Sequence, residues 1–346
     1  MKTKHQSPVV NLPVPALTEE IDEHGGHPPH DEAGWDKVRK LAVRRMDRMM
    51  NLEPKVLRGD DPEAIHNFRV ASRRVQQALD LLFPASRPAE IRRLRRRIRR
   101  CRKLFSDVRN CDVLIERVRR QLGVKRSTQR EASESFFAYL SERRQKAHSR
   151  ALRKLSRLNL AEVYVRLGTA FREELQLNKN EDSPDNMHLR GVRQRPLRKR
   201  LAEEMNNIWQ EFAARCDQSQ SAGSGEALHA TRIAAKRLRY LGEMIDKLNA
   251  EGSREALTWL RVLQDILGDW HDLEIAEQMM TEMIAKPQFL RENPDIATGV
   301  LKLISRNKKA KDRLQSKYRG ISLDSPGGQA LKVWAERVIA VGEHLT

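Results

Sequence analysis

Two short stretches of the sequence place histidine, arginine and lysine at helical spacing, an arrangement suited to binding an anion. The first, HNFRVASRRVQQALDLL, spans residues 66–82, and the second, HATRIAAKRLRYLGEMI, spans residues 229–245. Steps of three, four and three residues put four polar side chains of the first stretch on one helix face, the first row: His66, Arg69, Arg73 and Gln76. The same steps define the second row: His229, Arg232, Lys236 and Arg239. Because cations stacked along one helix edge repel one another, we predict that an anion lies over these rows.

The two stretches match each other residue by residue, which predicts an internal duplication. Val70 pairs with Ile233, and the neighbouring Arg74 pairs with Arg237. Each stretch also carries an apolar face at helical spacing, Phe68, Val75, Leu79 and Leu82 in the first and Leu228, Ala235, Leu238, Leu241 and Ile245 in the second. A later segment, LFSDVRNCDVLIE, resembles ILGDWHDLEIAEQ in nearly the same register. Two matching segments in the same order favour a duplicated half over chance similarity.

The elements that must carry these rows are predicted to be helices throughout. Asp61 and Pro62 give a helix start before the first row, and Pro84 ends that helix. We predict a new helix near Cys111 with Asn110 as its N-cap, a Ser/Gly loop over residues 219–225, and a break at Gly268 before a helix capped by Asp272. Strand-like alternation of β-branched residues is absent. The predicted organisation is a disordered N-terminal tail over residues 1–33, a first helical half over 34–177, a linker over 178–190 and a second helical half over 191–346.

The composition predicts that the protein has a polyanionic partner and that it lies in a reducing compartment. The chain of 346 residues carries a formal net charge of +19, which favours nucleic acid, an anionic membrane or inorganic polyphosphate. Aromatic residues make up only 5%, which weakens the case for binding single strands by base stacking. Three unspaced cysteines argue against a disulfide framework or a zinc site. We find neither a signal peptide nor an apolar run of membrane-spanning length, so we expect a cytoplasmic protein.

A dense run of positive charge follows the first row. Nine of the twelve residues from Arg92 to Lys103 are basic, while Ile91, Leu94, Ile98 and Phe105 keep one narrow apolar edge. Such a run is usually a solvated face, and we interpret Arg92, Arg93 and Arg100 in that way. However, pairs four residues apart cannot neutralise cations that have no acids between them. Part of the run is therefore predicted to need an external anion.

These motifs resemble the CHAD family, the conserved-histidine α-helical domain. The family pattern is roughly H-x-x-R-[VI]-x-x-[RK]-[RK]-L-R, followed by a helix that ends L-G-x-x-R-D-x-D. The matching segments here are HNFRVASRRVQ with LFSDVRNCD, and HATRIAAKRLR with LGDWHDLE. Gln76, Ser106, Asn110 and His271 depart from the pattern, and the resemblance covers residues 35–346. It implies an all-α fold of two pseudo-symmetric helical bundles with a basic pore or groove between them. It also implies binding of inorganic polyphosphate, often on polyphosphate granules, and no established catalytic activity.

Polyphosphate offers charge but no bases to recognise, so regularly spaced guanidinium and ammonium groups should bind it. Arg99 and Lys103 join the candidates because they precede Ser106 by seven and three residues on one helix face. The histidines are either neutral donors or protonated contacts, and a nearby anion favours the charged form. The predicted polyphosphate-binding residues are His66, Arg69, Arg73, Arg74, Arg99, Lys103, Arg109, His229, Arg232, Lys236, Arg237 and Arg239.

Three alternatives remain open at this point. A phosphate-metabolising enzyme, or its accessory subunit, would need carboxylates for Mg²⁺ or an activated nucleophile. We find no P-loop and no paired carboxylates beside the rows, so we predict a binding protein that is not an enzyme and needs neither cofactor nor metal. The basic run also suits nucleic acid, although zinc-finger spacing and RNA-recognition aromatics are absent. A third possibility is a scaffold that recruits other proteins to granules, which the sequence allows without indicating a protein partner.

Overall fold

The regular elements are all α-helices, which confirms the predicted fold class. The computed structural model describes residues 32–83, 89–122, 128–176, 196–248 and 253–343, and within these ranges it contains twelve helices and no strand. The first six are α1 (Glu32–Arg58), α2 (Pro62–Leu82), α3 (Ala89–Leu104), α4 (Ser106–Leu122), α5 (Thr128–Ser156) and α6 (Leu160–Gln176). The other six are α7 (Leu197–Ala222), α8 (Gly225–Asp246), α9 (Ser253–Ile284), α10 (Pro287–Glu292), α11 (Pro294–Arg319) and α12 (Pro326–Glu343). The predicted linker and nearly all of the predicted tail lie outside the described residues.

The two helices that carry the rows, α2 and α8, begin with the same kind of cap. The Asp61 carboxylate accepts a hydrogen bond from the Glu63 backbone N–H at 2.9 Å, and Pro62 occupies the first helical position. The Ser224 hydroxyl accepts from the Ala227 N–H at 3.2 Å. Such caps satisfy backbone donors that have no partner inside the helix. Each cap places the histidine of its row, His66 or His229, in the fifth position of its helix.

The apolar faces of α2 and α8 are buried as predicted. Every residue of the two predicted apolar faces is less than 9% exposed: Phe68, Val75, Leu79 and Leu82 in α2, and Leu228, Ala235, Leu238, Leu241 and Ile245 in α8. Fully burying such a side chain contributes about 1.5–3 kcal/mol relative to leaving it in water. Burial on this scale fixes the rotation of each helix, so it also fixes where the row on the other face points.

Both apolar cores draw on both predicted halves of the chain. The larger core joins helices of the first half, through residues such as Phe68 and Phe105, to helices of the second half, through residues such as Leu238 and Leu263. The smaller core is formed by α4, α5, α9 and α11. Residues 31–346 accordingly form one compact unit. None of the described helices is long and apolar enough to cross a membrane.

Two predicted helix starts are wrong. Asn110 is not an N-cap, because α4 already begins at Ser106 and the Arg109 N–H donates to the Phe105 carbonyl at 3.1 Å. Gly268 does not break the chain, because α9 runs without interruption from Ser253 to Ile284 and contains Asp272. A glycine in a helix interior costs only about 1 kcal/mol, which burial of neighbours such as Leu267 offsets.

The predicted Ser/Gly loop over residues 219–225 is much shorter in the structure. Helix α7 continues to Ala222, and Ser219 is buried within it. Gly223 then adopts a left-handed conformation with φ of 59°, which favours glycine, and its N–H donates to the Ser219 carbonyl. The next residue, Ser224, caps α8, so two residues connect the helices.

Candidate anion-binding site

The two rows face each other where α2 and α8 pack together. Arg73 of the first row donates a hydrogen bond to the buried Tyr240 hydroxyl of α8 at 3.1 Å. Its guanidinium carbon lies 5.3 Å from the centre of the Tyr240 ring. Arg239 of the second row lies over the same ring at the same distance. Tyr240 therefore holds one arginine from each row by cation–π contact.

Around this contact lies a group of cationic and imidazole side chains that we call the basic cluster. It comprises Arg69, Arg73, Arg102, Arg109, Arg232, Lys236, His66, His229 and His271. Burial lowers the pKa of Arg69 to about 10, and repulsion from other cations, including Arg102 and Arg232, adds to the effect. The pKa of Arg102 is also lowered to about 10, by burial and then by its cationic neighbours. The cluster therefore brings together cations from α2, α3, α4 and α8 and an imidazole, that of His271, from α9.

Lys236 is the most perturbed cation of the cluster. Burial lowers the pKa of its ammonium from 10.5 to about 6, followed by repulsion from Arg232 and Arg73. Asp272 opposes the shift without cancelling it. A lysine in this state is largely neutral at neutral pH unless an anion restores its charge.

The three histidines lie at the edge of the same positive region. The imidazole rings of His229 and His271 have their centres 4.9 Å apart. Burial lowers the pKa of His271 to about 3, with further contributions from Arg232 and His229. The pKa of His66 and that of His229 are also lowered, in both cases mainly by burial. All three imidazoles are therefore neutral at neutral pH in the free protein, and each has a ring N–H able to donate a hydrogen bond.

Few carboxylates oppose the charge of the cluster. Among the described residues, none forms an ion pair with Arg69, Arg73, Arg232 or Lys236. Glu63 is 4.0 Å from Arg109 and is exposed to solvent. The Asp272 carboxylate raises the pKa of Arg232 by charge attraction. Burial raises the pKa of Asp272 itself, which opposes its ionisation. The predicted rows are thus brought together with most of their charge uncompensated by the described protein.

Arg69 also has a structural role at the α3–α4 junction. One of its guanidinium nitrogens donates to the Arg102 carbonyl at 2.6 Å and to the Ser106 hydroxyl at 2.8 Å. By contrast, the Nε atoms of Arg102 and Arg232 are buried without a hydrogen-bond partner among the described residues. An unmet buried donor is costly, so these two groups are suited to an incoming oxyanion.

Several predicted binding residues lie away from the basic cluster. Arg74 pairs with Glu243 at 2.8 Å, and Arg237 is exposed and pairs with Glu211 of α7. Arg239 adjoins the cluster but shares Glu243 at 3.4 Å. Arg99 and Lys103 are exposed on α3, although Arg99 contributes to the lowered pKa of Arg102. Arg74 and Arg237 point away from the basic cluster because each follows a cluster residue by one position, which rotates its side chain by about 100° around the helix.

Three residues of the site were not among the predicted binding residues: Arg102, Tyr240 and His271. Arg102 precedes Ser106 by four residues, one helical turn, and that spacing was a usable signal. His271 was recognised only as a departure from the family pattern. Tyr240 gave no signal in the sequence, because its position between two arginines depends on how α2 and α8 dock.

Part of the basic run is neutralised inside the protein. Arg95 pairs with Asp80 of α2 at 2.8 Å, and Arg97 pairs with Glu162 of α6 at 2.8 Å. Arg93, Arg96 and Arg100 are exposed. Of the run, Arg102 is the residue that enters the basic cluster.

Among the described residues, the basic cluster lines neither of two cavities of several hundred Å³. A cavity of about 720 Å³ lies between α5 and α9, where Arg143 pairs with Glu282 at 2.5 Å. A second, of about 510 Å³, lies among α1, α2 and the end of α8. The predicted pore between bundles therefore stays a prediction.

The described residues contain no group of three or more histidine, cysteine, aspartate or glutamate side chains arranged to hold a metal ion. Cys101, Cys111 and Cys216 are buried free thiols, and burial raises the pKa of each. They are therefore poor metal ligands at neutral pH, because the thiolate is the ligating form.

Comparison with known proteins gives a family match and structural matches. The family model for the CHAD domain matches residues 41–281. The crystal structure of the CHAD domain from the plant Ricinus communis aligns with a TM-score of 0.57 and 19% identity, covering 87% of this chain and 91% of that one. PptA from Streptomyces chartreusis aligns with a TM-score of 0.47 and 12% identity, covering 90% and 99%. No curated protein matches the sequence significantly.

Proposed function

Because the chain belongs to the CHAD domain family, we propose that its basic cluster binds inorganic polyphosphate without catalysing a reaction on it. The observation that carries the proposal is the meeting of Arg73 of α2 with Arg232 and Lys236 of α8, with no ion pair to a described carboxylate. Repulsion between cations held this close lowers the stability of the fold, and a bound anion offsets that repulsion. A flexible polymer with one charge per phosphate meets that requirement.

The geometry favours an extended anion over a single phosphate. The first row from His66 to Arg73 covers about 10 Å of helix at 1.5 Å per residue. The second row faces it from α8, and Arg102 and Arg109 extend the positive surface onto α3 and α4. A linear chain of several phosphates can contact cations of all four helices at once. Guanidinium groups also bind phosphate oxygens in pairs, which favours the arginine-rich composition.

The proposal is for binding alone. Enzymes that transfer phosphoryl groups usually hold Mg²⁺ with carboxylates. The carboxylates beside the cluster, Asp272 and Glu63, instead lie next to Arg232 and Arg109. Incubating the protein with polyphosphate and Mg²⁺ tests this part, since a change in polymer length would contradict it.

Arg232 provides the sharpest test of the site. Its guanidinium is largely buried in the cluster with an unpartnered Nε, whereas Arg237 on the same helix is exposed and paired with Glu211. We expect Arg232→Gln to weaken polyphosphate binding by about tenfold or more, the loss of one charge-assisted contact. Arg237→Gln removes the same charge, and we expect it to change the affinity by less than about twofold. Titration calorimetry measures both, and equal affinities for the two variants would refute the site.

Nucleic acid is the second candidate ligand, favoured by the exposed Arg93, Arg96 and Arg100 on α3. A competition experiment separates the two. We expect polyphosphate to displace duplex DNA or RNA at equal charge concentration, and the reverse result would favour nucleic acid.

We further propose that the protein accumulates on polyphosphate granules in the cytoplasm. A fluorescent fusion carrying Arg232→Gln should then lose its granule localisation while the Arg237→Gln fusion keeps it.

A further inference from the structure

The cavity of about 510 Å³ among α1, α2 and α8 has an unusually uniform charge. Among the described residues, its lining contains seven basic residues, no acidic residue and no aromatic ring. The basic residues are Lys37, Lys40, Arg44, Arg45, Arg48, Arg74 and Lys247. Leu41, Ala71 and Leu248 complete it. We call it the basic cavity.

The basic cavity lies on the opposite side of α2 from the basic cluster. Arg69 and Arg73 point toward the cluster, whereas Ala71 and Arg74 line the cavity. At 100° per residue the mean directions of these two pairs are separated by about 150° around the helix axis. Glu243 of α8 stands between the two regions, because it pairs with Arg74 at 2.8 Å and with Arg239 at 3.4 Å. The two positive regions are therefore distinct sites with one carboxylate shared at their boundary.

Helix α1 supplies most of the charge of the basic cavity through one face. Lys37, Arg44 and Arg48 follow at spacings of seven and four residues, which repeat on the same side of a helix. All three are exposed. Within the described residues, no carboxylate forms an ion pair with any of them, or with Lys247. Lys40, which pairs with Asp36 at 2.6 Å, and Arg74 are already partly compensated.

Arg45 forms the floor of the basic cavity and is built into the fold. Arg45 is only 7% exposed. Its guanidinium donates hydrogen bonds to the Arg74 carbonyl at 3.3 Å and to the Met244 sulfur at 3.4 Å. Burial lowers the pKa of its guanidinium to about 10, so it stays charged at neutral pH. A sulfur atom is a weak acceptor, and Glu243 opposes the lowering of the Arg45 pKa only in part, so the protein does not fully offset the cost of burying this charge.

We propose that the basic cavity is a second anion site, separate from the basic cluster, that binds a short condensed phosphate such as inorganic triphosphate. Its volume is that of a small-molecule pocket, larger than a single phosphate needs. The absence of an aromatic ring from the lining disfavours a nucleotide base, which is usually held by stacking. The lining combines four guanidinium and three ammonium groups, most of them without an ion pair to a described carboxylate, which suits the oxygens of a compact, multiply charged phosphate anion.

Titration of the full chain with inorganic triphosphate tests the proposal. Arg44→Gln/Arg48→Gln removes two exposed cations of the basic cavity, and Lys308→Gln/Lys309→Gln removes two exposed cations of α11 that line neither cavity. We expect wild type to bind triphosphate at the basic cavity, and the first variant to lose that binding by about tenfold or more. We expect the second variant to bind like wild type. Circular dichroism checks that both variants keep the native helix content.

A third variant, Arg232→Gln alone, distinguishes the cavity proposal from the proposed function of the basic cluster. If the basic cavity is a site of its own, Arg232→Gln leaves its triphosphate binding within about twofold of wild type. If triphosphate binding is lost in Arg232→Gln and kept in Arg44→Gln/Arg48→Gln, the cavity proposal is wrong and the cluster is the binding site. Equal losses in both double variants, or no binding of triphosphate by wild type, would also overturn it. Loss only in Arg44→Gln/Arg48→Gln supports the cavity whatever the fate of the cluster.

Discussion

Lys236 is a residue whose burial among other cations lowers the stability of the free protein. Its ammonium has a pKa of about 6 in the fold against 10.5 for a free side chain, mainly because it is buried and then because Arg232 and Arg73 are close. The unfolded chain therefore binds more protons than the folded chain between these two values. Stability linked to Lys236 is fully present above about pH 10.5 and is lost as the pH falls toward 6.

Replacing Lys236 with methionine should separate the two effects. Lys236→Met keeps the length of the side chain and removes the titration, so we expect the free protein to gain on the order of 1 kcal/mol in unfolding free energy at neutral pH. We also expect polyphosphate affinity to fall about tenfold, because one cationic contact is lost. Urea denaturation at several pH values measures the first effect and calorimetry the second. Exposed Lys103→Met is the control and should change neither. A variant whose stability depends on pH as steeply as that of wild type would contradict the assignment.

Arg74 and Arg237 show what sequence spacing leaves undecided about individual residues. Both stand next to a cluster residue and belong to the same family pattern, yet each pairs with a glutamate of another helix. Whether such an arginine joins the basic cluster or forms an ion pair depends on which carboxylates the fold brings near it, here Glu243 and Glu211. Arg69, Arg73, Arg232 and Lys236 were located from the period of the helix because their faces are opposite the buried ones. The helical period therefore predicted which side chains meet in the basic cluster, but it did not separate them from Arg74 and Arg237, which pair with glutamates.

At the scale of the element, the sequence predicted α2 and α8 well because local signals agreed with the tertiary structure. Caps at Asp61 and Ser224 lie where the apolar pattern begins, and the predicted apolar residues are all buried. The starts of α4 and α9 were predicted wrongly because asparagine, aspartate and glycine have a local preference for helix ends. Apolar residues that flank Gly268, including Leu267 and Trp270, are buried and keep the helix continuous. Tertiary burial outweighed a local preference of about 1 kcal/mol.

Two glycine substitutions test this view of the helices. Gly268 lies inside α9, and a Cβ added there meets nothing within 4 Å, so we expect Gly268→Ala to stabilise the protein by about 0.5–1 kcal/mol. Gly59 connects α1 to α2 with φ of 75°, and an added Cβ would approach the Cε1 atom of His148 to 2.2 Å. We expect Gly59→Ala to destabilise by more than about 1 kcal/mol.

The two glycine variants control for each other, since both add one methyl group. Thermal unfolding monitored by circular dichroism gives the sign and size of each change. Destabilisation by Gly268→Ala would indicate that α9 is not a regular helix at that point. A neutral Gly59→Ala would indicate that the left-handed turn and the His148 contact do not constrain the connection.

At the scale of the whole molecule, apolar burial opposes the repulsion between cations. Both cores join helices of the two predicted halves, so separating α2 from α8 would also expose part of the larger core. The repulsion within the basic cluster cannot relax by moving the helices apart without losing that burial. The remaining ways to lower it are to release protons or to bind an anion, and the lowered pKa of Lys236 and of the histidines reflects the first.

Anion binding should therefore be coupled to proton uptake by the molecule. Lys236 is faced by Arg73, Arg232, Arg239 and Asp272, and the histidines by Arg109, Arg232 and Glu63, so cations outnumber acids around the titrating groups. A bound polyanion adds negative charge beside them and raises the pKa of each toward or above its ordinary value. Because these groups are largely neutral in the free protein at neutral pH, we expect protons to be taken up on binding and affinity to increase as the pH falls from mildly alkaline to mildly acidic.

Calorimetry in buffers with different ionisation enthalpies measures this coupling directly, because the buffer supplies the protons that the protein takes up. We expect the observed binding enthalpy to vary with the buffer in wild type, with the sign of net uptake and an amplitude on the order of one proton per site. Since polyphosphate has titrating ends of its own, Lys236→Met is the needed comparison, and its proton uptake should be smaller with the same polymer. Binding enthalpies that do not depend on the buffer, or an uptake that Lys236→Met leaves unchanged, would show that Lys236 keeps its proton in the free protein. The basic cluster would then hold its full charge without a ligand, so repulsion between its buried cations would not require a bound anion.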